Sequence, residues 1–206
     1  MRVKYFGHAC FLLADNSFSI LIDPHSGIGY ELNNPTADFC ICSHQHFDHN
    51  AVDKVIVKKV IRENDYFNFP WLKVINSFHD EVSGAKRGNN NVIVVNIGGY
   101  NICHLGDLGE PLNKELCKKI GSIDVLLIPI GGVYTINSVD ALEYVKEINP
   151  KIVIPMHYKT KRGTVDVAGK EEFLKFFNTV EKKNNSFIIE NIPKYMTVYD
   201  IDDEEF

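Results

Sequence analysis

The chain has 206 residues, 45% of them hydrophobic and 24% charged, which suits one domain over residues 1–206 with a sizeable core. Lys and Arg number 22 against 27 Asp and Glu, a formal charge of −5, and this argues against a broadly basic surface for nucleic acid or an anionic membrane. No run approaches the roughly eighteen apolar residues of a membrane span, no secretory leader is expected from Met1-Arg2-Val3-Lys4, and five cysteines without a C-x-x-C pair fit reduced thiols in the cytoplasm.

In chain order, short strands are expected over residues 3–6, 10–14 and 18–22, with Asp15-Asn16-Ser17 supplying a hairpin turn. Residues 37–42 are apolar and read as a buried strand. Extended, β-rich segments follow over residues 55–62, 66–69, 72–78, 91–97 and 100–104. The second half changes character. A helix is expected over residues 111–120, a buried strand over 125–130, and a helix from a Ser138 cap to Ile148, stopped by Asn149-Pro150. Residues 151–155 form another strand. An amphipathic helix is expected over 169–183, a last strand over 195–199, and Asp202-Asp203-Glu204-Glu205 reads as a solvated tail. Strands first and βαβ-like units later point to an α/β sandwich of two sheets with helices outside.

Directly after the fourth strand comes His44-Gln45-His46-Phe47-Asp48-His49. Three imidazoles and a carboxylate in six residues are ligands of Zn²⁺ and its first-row neighbours. More such residues recur where expected strands end: His79, Asp107 and His157. Loops converge at strand ends while the strands stay rigid, so these positions can share one site. Two metal sites are expected, one of His44, His46 and His79, the other of Asp48, His49 and His157, with Asp107 bridging. A lone His79 or His157 is more often an ordinary hydrogen-bonded histidine than a ligand, and Asp107 beside two glycines reads as a turn residue; the cluster is what raises all three.

This pattern resembles the metallo-β-lactamase-fold hydrolases: an early Asp (Asp23), H-x-H-x-D-H, then His79, Asp107 and His157. The resemblance runs to about Lys159. Gly7-His8, His104-Leu105-Gly106-Asp107, Ile128-Pro129-Ile130-Gly131-Gly132 and Ile154-Pro155-Met156-His157-Tyr158 look like its compact branch, which includes L-ascorbate-6-phosphate lactonase. It implies a four-layer αβ/βα sandwich and two divalent ions, Zn²⁺ first, with Mn²⁺ or Fe²⁺ as alternatives. The implied reaction is attack by a metal-bridging hydroxide on an ester, lactone, amide or phosphodiester of a small molecule, with Asp48 positioning the nucleophile or taking a proton. Asp23 is expected to hold the cluster loop.

His104 is expected in a supporting hydrogen bond, and His8 as a core, supporting or substrate-facing residue. Lys86 and Arg87 read as an anion site or a solvated loop, and Tyr134 as substrate-facing or part of a plain turn. A homo-oligomer is compatible with this reading. Other uses of the fold are an iron-dependent redox enzyme, disfavoured by His46 where diiron relatives carry Glu, or a metal-binding sensor without turnover.

Overall fold

Residues 92–95, Val-Ile-Val-Val, set out the layering in miniature. Val92 and Val94 face one hydrophobic layer while Ile93 and Val95 face another, as strand alternation requires when both faces of a sheet are covered. The computed structural model describes residues 1–201. Its first half runs β1 (Arg2–Tyr5), β2 (Phe11–Ala14), β3 (Ser19–Ile22), β4 (Thr36–Ile41), β5 (Ile56–Ile61), β6 (Leu72–Phe78), β7 (Asn89–Ile97) and β8 (Tyr100–His104). Then follow α1 (Lys114–Ile120), β9 (Val125–Pro129), α2 (Ser138–Ile148), β10 (Ile152–Met156), α3 (Glu171–Leu174), β11 (Val180–Lys183), β12 (Ser186–Ile188) and β13 (Thr197–Ile201).

Two mixed sheets result. One has the order β12-β1-β2-β3-β4-β5 and the other β11-β13-β10-β9-β8-β7-β6. Strands β3, β4 and β5 are parallel, as are β8, β9, β10, β13 and β11, while the hairpins β1-β2-β3 and β6-β7-β8 are antiparallel. Phe11, Leu13, Ile20 and Ile22 of the first sheet meet Ile93, Val95, Leu127 and Ile154 of the second in a shared core. Each fully buried aliphatic side chain there contributes about 1.5–3 kcal/mol relative to exposure, so this layer gives the strand-end loops a rigid floor. Leu116, Val145 and Phe173 of the helices cover the outer face of the second sheet against Leu126 and Val153. Leu32, from the loop after β3, covers Leu12 and Leu21 on the outer face of the first. The architecture is α/β, two mixed sheets flanked by helices, as expected. Among the described residues no helix is long and apolar enough to cross a membrane.

Several local expectations fail for identifiable reasons. Residues 66–69 are not a strand: Glu63–Asn68 is a 3-10 helix, with Asp65 Oδ2 accepting from the Arg62 N–H at 3.1 Å. Aromatic content suggested β structure there, yet Phe67 is 98% exposed and has no strand to pack on. The long helix over 169–183 is only α3, one turn with Phe173 buried; β11 follows and pairs in parallel with β13. Strand β12 was not anticipated, and β7 begins two residues early, at Asn89. Asn137, not Ser138, caps α2, its Oδ1 accepting from Val139 and Asp140 N–H groups at 2.8 and 3.0 Å. The acidic stretch after Ile201 lies outside the described residues.

Candidate metal centre

Asp23 leaves the end of β3, the histidine cluster leaves β4, His79 leaves β6, Asp107 follows β8 and His157 follows β10. All are strand C-terminal ends, and both sheets deliver them to one edge. His44 Nε2 lies 3.1 Å from His46 Nδ1, and donor atoms of His44, His46 and His79 all fall within 4.8 Å of one another. The same separation encloses donor atoms of Asp48, His49, His157 and His8. Asp107 stands between the groups. His49 Nε2 is 3.1 Å from its Oδ1; His79 Nε2 and His157 Nε2 are 3.2 and 3.3 Å from its Oδ2. All seven expected ligands are thus brought together.

The arrangement is held from behind. Asp23, fully buried, accepts from the Ser43 N–H at 2.6 Å and Ser43 Oγ–H at 2.7 Å, and lies 2.8 Å from His49 Nδ1. A carboxylate can only accept, so His49 Nδ1 carries a proton and Nε2 is the atom left for an ion. Ser43 Oγ, having donated to Asp23, accepts from His44 Nδ1 at 2.9 Å, which turns the His44 Nε2 lone pair inward. On the other sheet Asn90 is the hub. Its Nδ2 donates to Leu105 O and Ser77 Oγ, both at 2.8 Å, and its Oδ1 accepts from the Asp107 N–H at 2.9 Å. Next to it, Asn91 donates backbone and side-chain N–H to Ser43 O at 3.0 and 2.9 Å, tying the two sheets across the centre.

Glycines make the Asp107 turn possible. Gly106 has φ +57° and a Cβ there would collide with the Asn90 amide oxygen and Ser43; at Gly109 one would collide with the His79 backbone. Three of the non-glycine residues with left-handed backbone, His8, Asp23 and His157 (φ +56°, +51° and +52°), also sit here. Such conformations cost an L-residue about 1–2 kcal/mol and gather where function over-determines geometry.

Burial resists charging throughout, and the charges that survive do so in pairs. His49 is held well above the ordinary imidazole value because Asp107 and Asp23 outweigh its burial. Asp107 is held well below the carboxylate range because His157 and His49 outweigh its own burial. Asp48 is likewise pushed down, against its burial, by His8 and then His49. Burial, then His49, lowers His44 to about 3, so its lone pair stays available. The donor set fits divalent first-row ions. One observation makes the fit specific: His49 Nε2 and Asp107 Oδ1 are buried and face each other at 3.1 Å, and neither has a hydrogen-bond partner elsewhere among the described residues. A buried pair that has only each other can take a divalent ion between its two atoms in place of the His49 proton.

A cavity of about 590 Å³ opens over the centre, with His46, His79 and His157 at its base and Phe47, Arg87 and Tyr134 around it. Phe47 is 65% exposed; an aromatic inside an otherwise polar ligand cluster was the sequence signal for it. Arg87 lies over the Tyr134 ring at 4.1 Å. Its loop is pinned by Asp80, whose carboxylate accepts the backbone N–H groups of Val82, Gly84, Lys86 and Arg87 at 2.7–3.0 Å. Those bonds, against burial, hold Asp80 at about 2. Asp80, Asn90 and Ser43 had no distinguishing sequence signal beyond a polar residue beside an apolar run. Lys86 does not line the cavity: it is exposed and paired with Glu81. His8 does not line it either, being buried beneath Asp48. His104 takes a supporting place, Nε2–H donating to Ala9 O at 2.8 Å and Nδ1 accepting from the Gly106 N–H at 3.0 Å.

Comparison with known proteins agrees with this geometry. A family model described as the β-lactamase superfamily domain matches residues 2–157. A UPF0173 metal-dependent hydrolase of Pelotomaculum thermopropionicum is 32% identical over 200 residues, covering 78% of this chain and 85% of that one. A UPF0173 protein of Pyrococcus abyssi is 30% identical over 184 residues, covering 79% and 86%. A crystal structure from Thermotoga maritima, provisionally described as a Zn-dependent hydrolase of the metallo-β-lactamase superfamily, aligns with a TM-score of 0.78 at 36% identity over 97% of each chain.

Proposed function

This chain belongs to the metallo-β-lactamase superfamily of metal-dependent hydrolases, and from that premise we propose that it hydrolyses an ester, lactone, amide or phosphodiester bond in a small anionic molecule, at a centre of two divalent ions. The observation that carries the two-ion reading is Asp107, whose two carboxylate oxygens face imidazoles from both donor groups. With ions bound, Zn²⁺ first and Mn²⁺ or Fe²⁺ as alternatives, the centre supplies an acidified water and positive charge for a developing oxyanion.

The protein's own groups do the rest. Asp48, anionic at neutral pH, reaches the cavity from the cluster loop and orients the attacking water or takes its proton. Arg87, over the Tyr134 ring, presents its guanidinium at the cavity wall for a phosphate or carboxylate on the substrate. Phe47 offers an apolar face to the remainder of that molecule. The net charge of −5 supports a small molecule over nucleic acid. Five free, buried cysteines support a reducing compartment, the cytoplasm.

The test is a hydrolysis screen of chelator-stripped protein reconstituted separately with Zn²⁺, Mn²⁺ and Fe²⁺, with His46→Ala as control. Turnover of one bond class is expected only in metal-loaded wild type, with preference for anionic members. Fully loaded protein that cleaves none of these bonds overturns the proposal.

A further inference from the structure

Of the three histidines outside the expected ligand set, His25 and His104 give a ring nitrogen to a backbone carbonyl. His8 does something different. It is 3% exposed, its ring lies 4.1 Å from that of His157 and 4.9 Å from that of His49, and its Nε2 stands 3.4 Å from Asp48 Oδ2. At that separation the pair is in ion-pair reach without a closed hydrogen bond, and Nε2 has no hydrogen-bond partner among the described residues. A buried ring nitrogen left without a bond costs about 1–3 kcal/mol, so packing alone does not account for its direction.

Asp48 is the donor most in need of support. Asp23 braces His49, Ser43 braces His44 and Asn90 braces the Asp107 backbone. Asp48 sits on the cluster loop with its side chain 18% exposed, and His8 is the one side chain paired with it among those described, the donors of His49 and His157 standing within 4.8 Å. The His8 backbone is tied to the same place. Its carbonyl accepts from the His157 N–H at 2.9 Å and from Tyr5 Oη–H at 3.0 Å, at the expense of a left-handed φ of +56°.

We propose that His8 is a positioning residue of the metal centre, donating from Nε2 to Asp48 Oδ2 so that the other oxygen of Asp48 is held toward the position shared with His49 and His157. The inference rests on the two-ion reading above and adds to it a residue outside the family's ligand pattern. Braces of this kind are worth about 10–100-fold in metal affinity.

The test uses Co²⁺ as the probe, with affinity read by chelator competition and coordination read from the visible spectrum. In His8→Phe, one of the two Co²⁺ ions is expected to bind about 10–100-fold more weakly, while the spectrum at saturating Co²⁺ matches wild type. His8→Gln, which keeps an N–H of similar reach, is expected to recover most of the loss. Wild-type affinity for both ions in His8→Phe overturns the proposal. So does an altered spectrum at saturation, which would make His8 a ligand. Where His8→Phe does not fold, His8→Asn, too short to reach Asp48, is compared with His8→Gln on the same criteria. Wild type that binds no Co²⁺ would instead defeat the two-ion reading itself, a separate result.

Discussion

Asp23 and His49 form a buried pair, Oδ2 to Nδ1 at 2.8 Å, and the far edge of the same imidazole faces Asp107 at 3.1 Å. A fully buried carboxylate thus fixes which nitrogen of His49 points at the centre. Asp23→Asn keeps the shape but removes the charge that selects this tautomer. Metal affinity is expected to fall about 10–100-fold, measured by chelator competition. Unchanged affinity would mean that the loop holds His49 without Asp23.

Asn90 makes a second prediction, on stability. Asn90→Ala strands the Asp107 N–H and the Leu105 carbonyl in a buried site, at about 1–3 kcal/mol per group. The urea midpoint of the metal-free protein should drop with an unchanged slope. An unshifted midpoint would show that water or backbone movement replaces the amide.

Arg87 and Lys86 are neighbours with opposite expected behaviour. Arg87→Gln removes a charged donor from the cavity wall and should raise KM for an anionic substrate by about tenfold or more, leaving a neutral analogue nearly unaffected. Lys86→Gln, whose side chain pairs with Glu81 outside the cavity, should change neither. Equal effects of the two substitutions would remove the anion assignment.

The pH dependence of the metal-free fold follows from His8 and His44. Burial lowers both to about 3, with His157 adding to the shift at His8 and His49 at His44. Between about pH 6.5, the ordinary imidazole value, and pH 3, the unfolded chain therefore binds protons that the folded chain refuses. Stability rises with pH wherever the unfolded state holds more protons, so acidification through this window must destabilise the protein. The depressed carboxylates Asp23 and Asp107 add a further loss once the pH falls below the ordinary carboxylate range. Denaturant midpoints at pH 7 and pH 4.5 with chelator present check this; equal midpoints would contradict the burial of the two rings.

Asp80 offers a fifth test. Asp80→Ala releases four backbone N–H groups of the loop that carries Arg87. Amide exchange at Val82, Gly84, Lys86 and Arg87 should quicken while that of β9 and β10 stays slow. Unchanged protection in the loop would show that Asp80 is not its clamp.

What the amino-acid pattern revealed and what it concealed divide along physical lines. Apolar runs ending in His or Asp marked both the strands and the ligands, since buried parallel strands and their C-terminal loops impose that order locally. Residues acting across long separations in the chain left no such mark. Asn90 serves Asp107 and Ser43 serves Asp23 only because β7 lies beside β8 and β3 beside β4, and Asn91 reaches Ser43 only because the two sheets meet. The helix expected over 169–183 failed because a 3.6-residue pattern around Phe173 lasts one turn, after which β13 offers β11 a parallel partner. Lys86 and Arg87 look alike in sequence, and their partners separate them: Glu81 for Lys86, Tyr134 for Arg87.

The donors do not all belong to one sheet. His44, His46, Asp48 and His49 ride on the end of β4, whereas His79, Asp107 and His157 ride on β6, β8 and β10 of the other sheet. Drawing the two sheets apart would therefore dismantle every donor group at once. By mass action, each tenfold excess of ion over its dissociation constant adds about 1.4 kcal/mol to the closed sandwich. The site is a rivet through the seam of the molecule, and the tightness of that seam is readable as metal affinity.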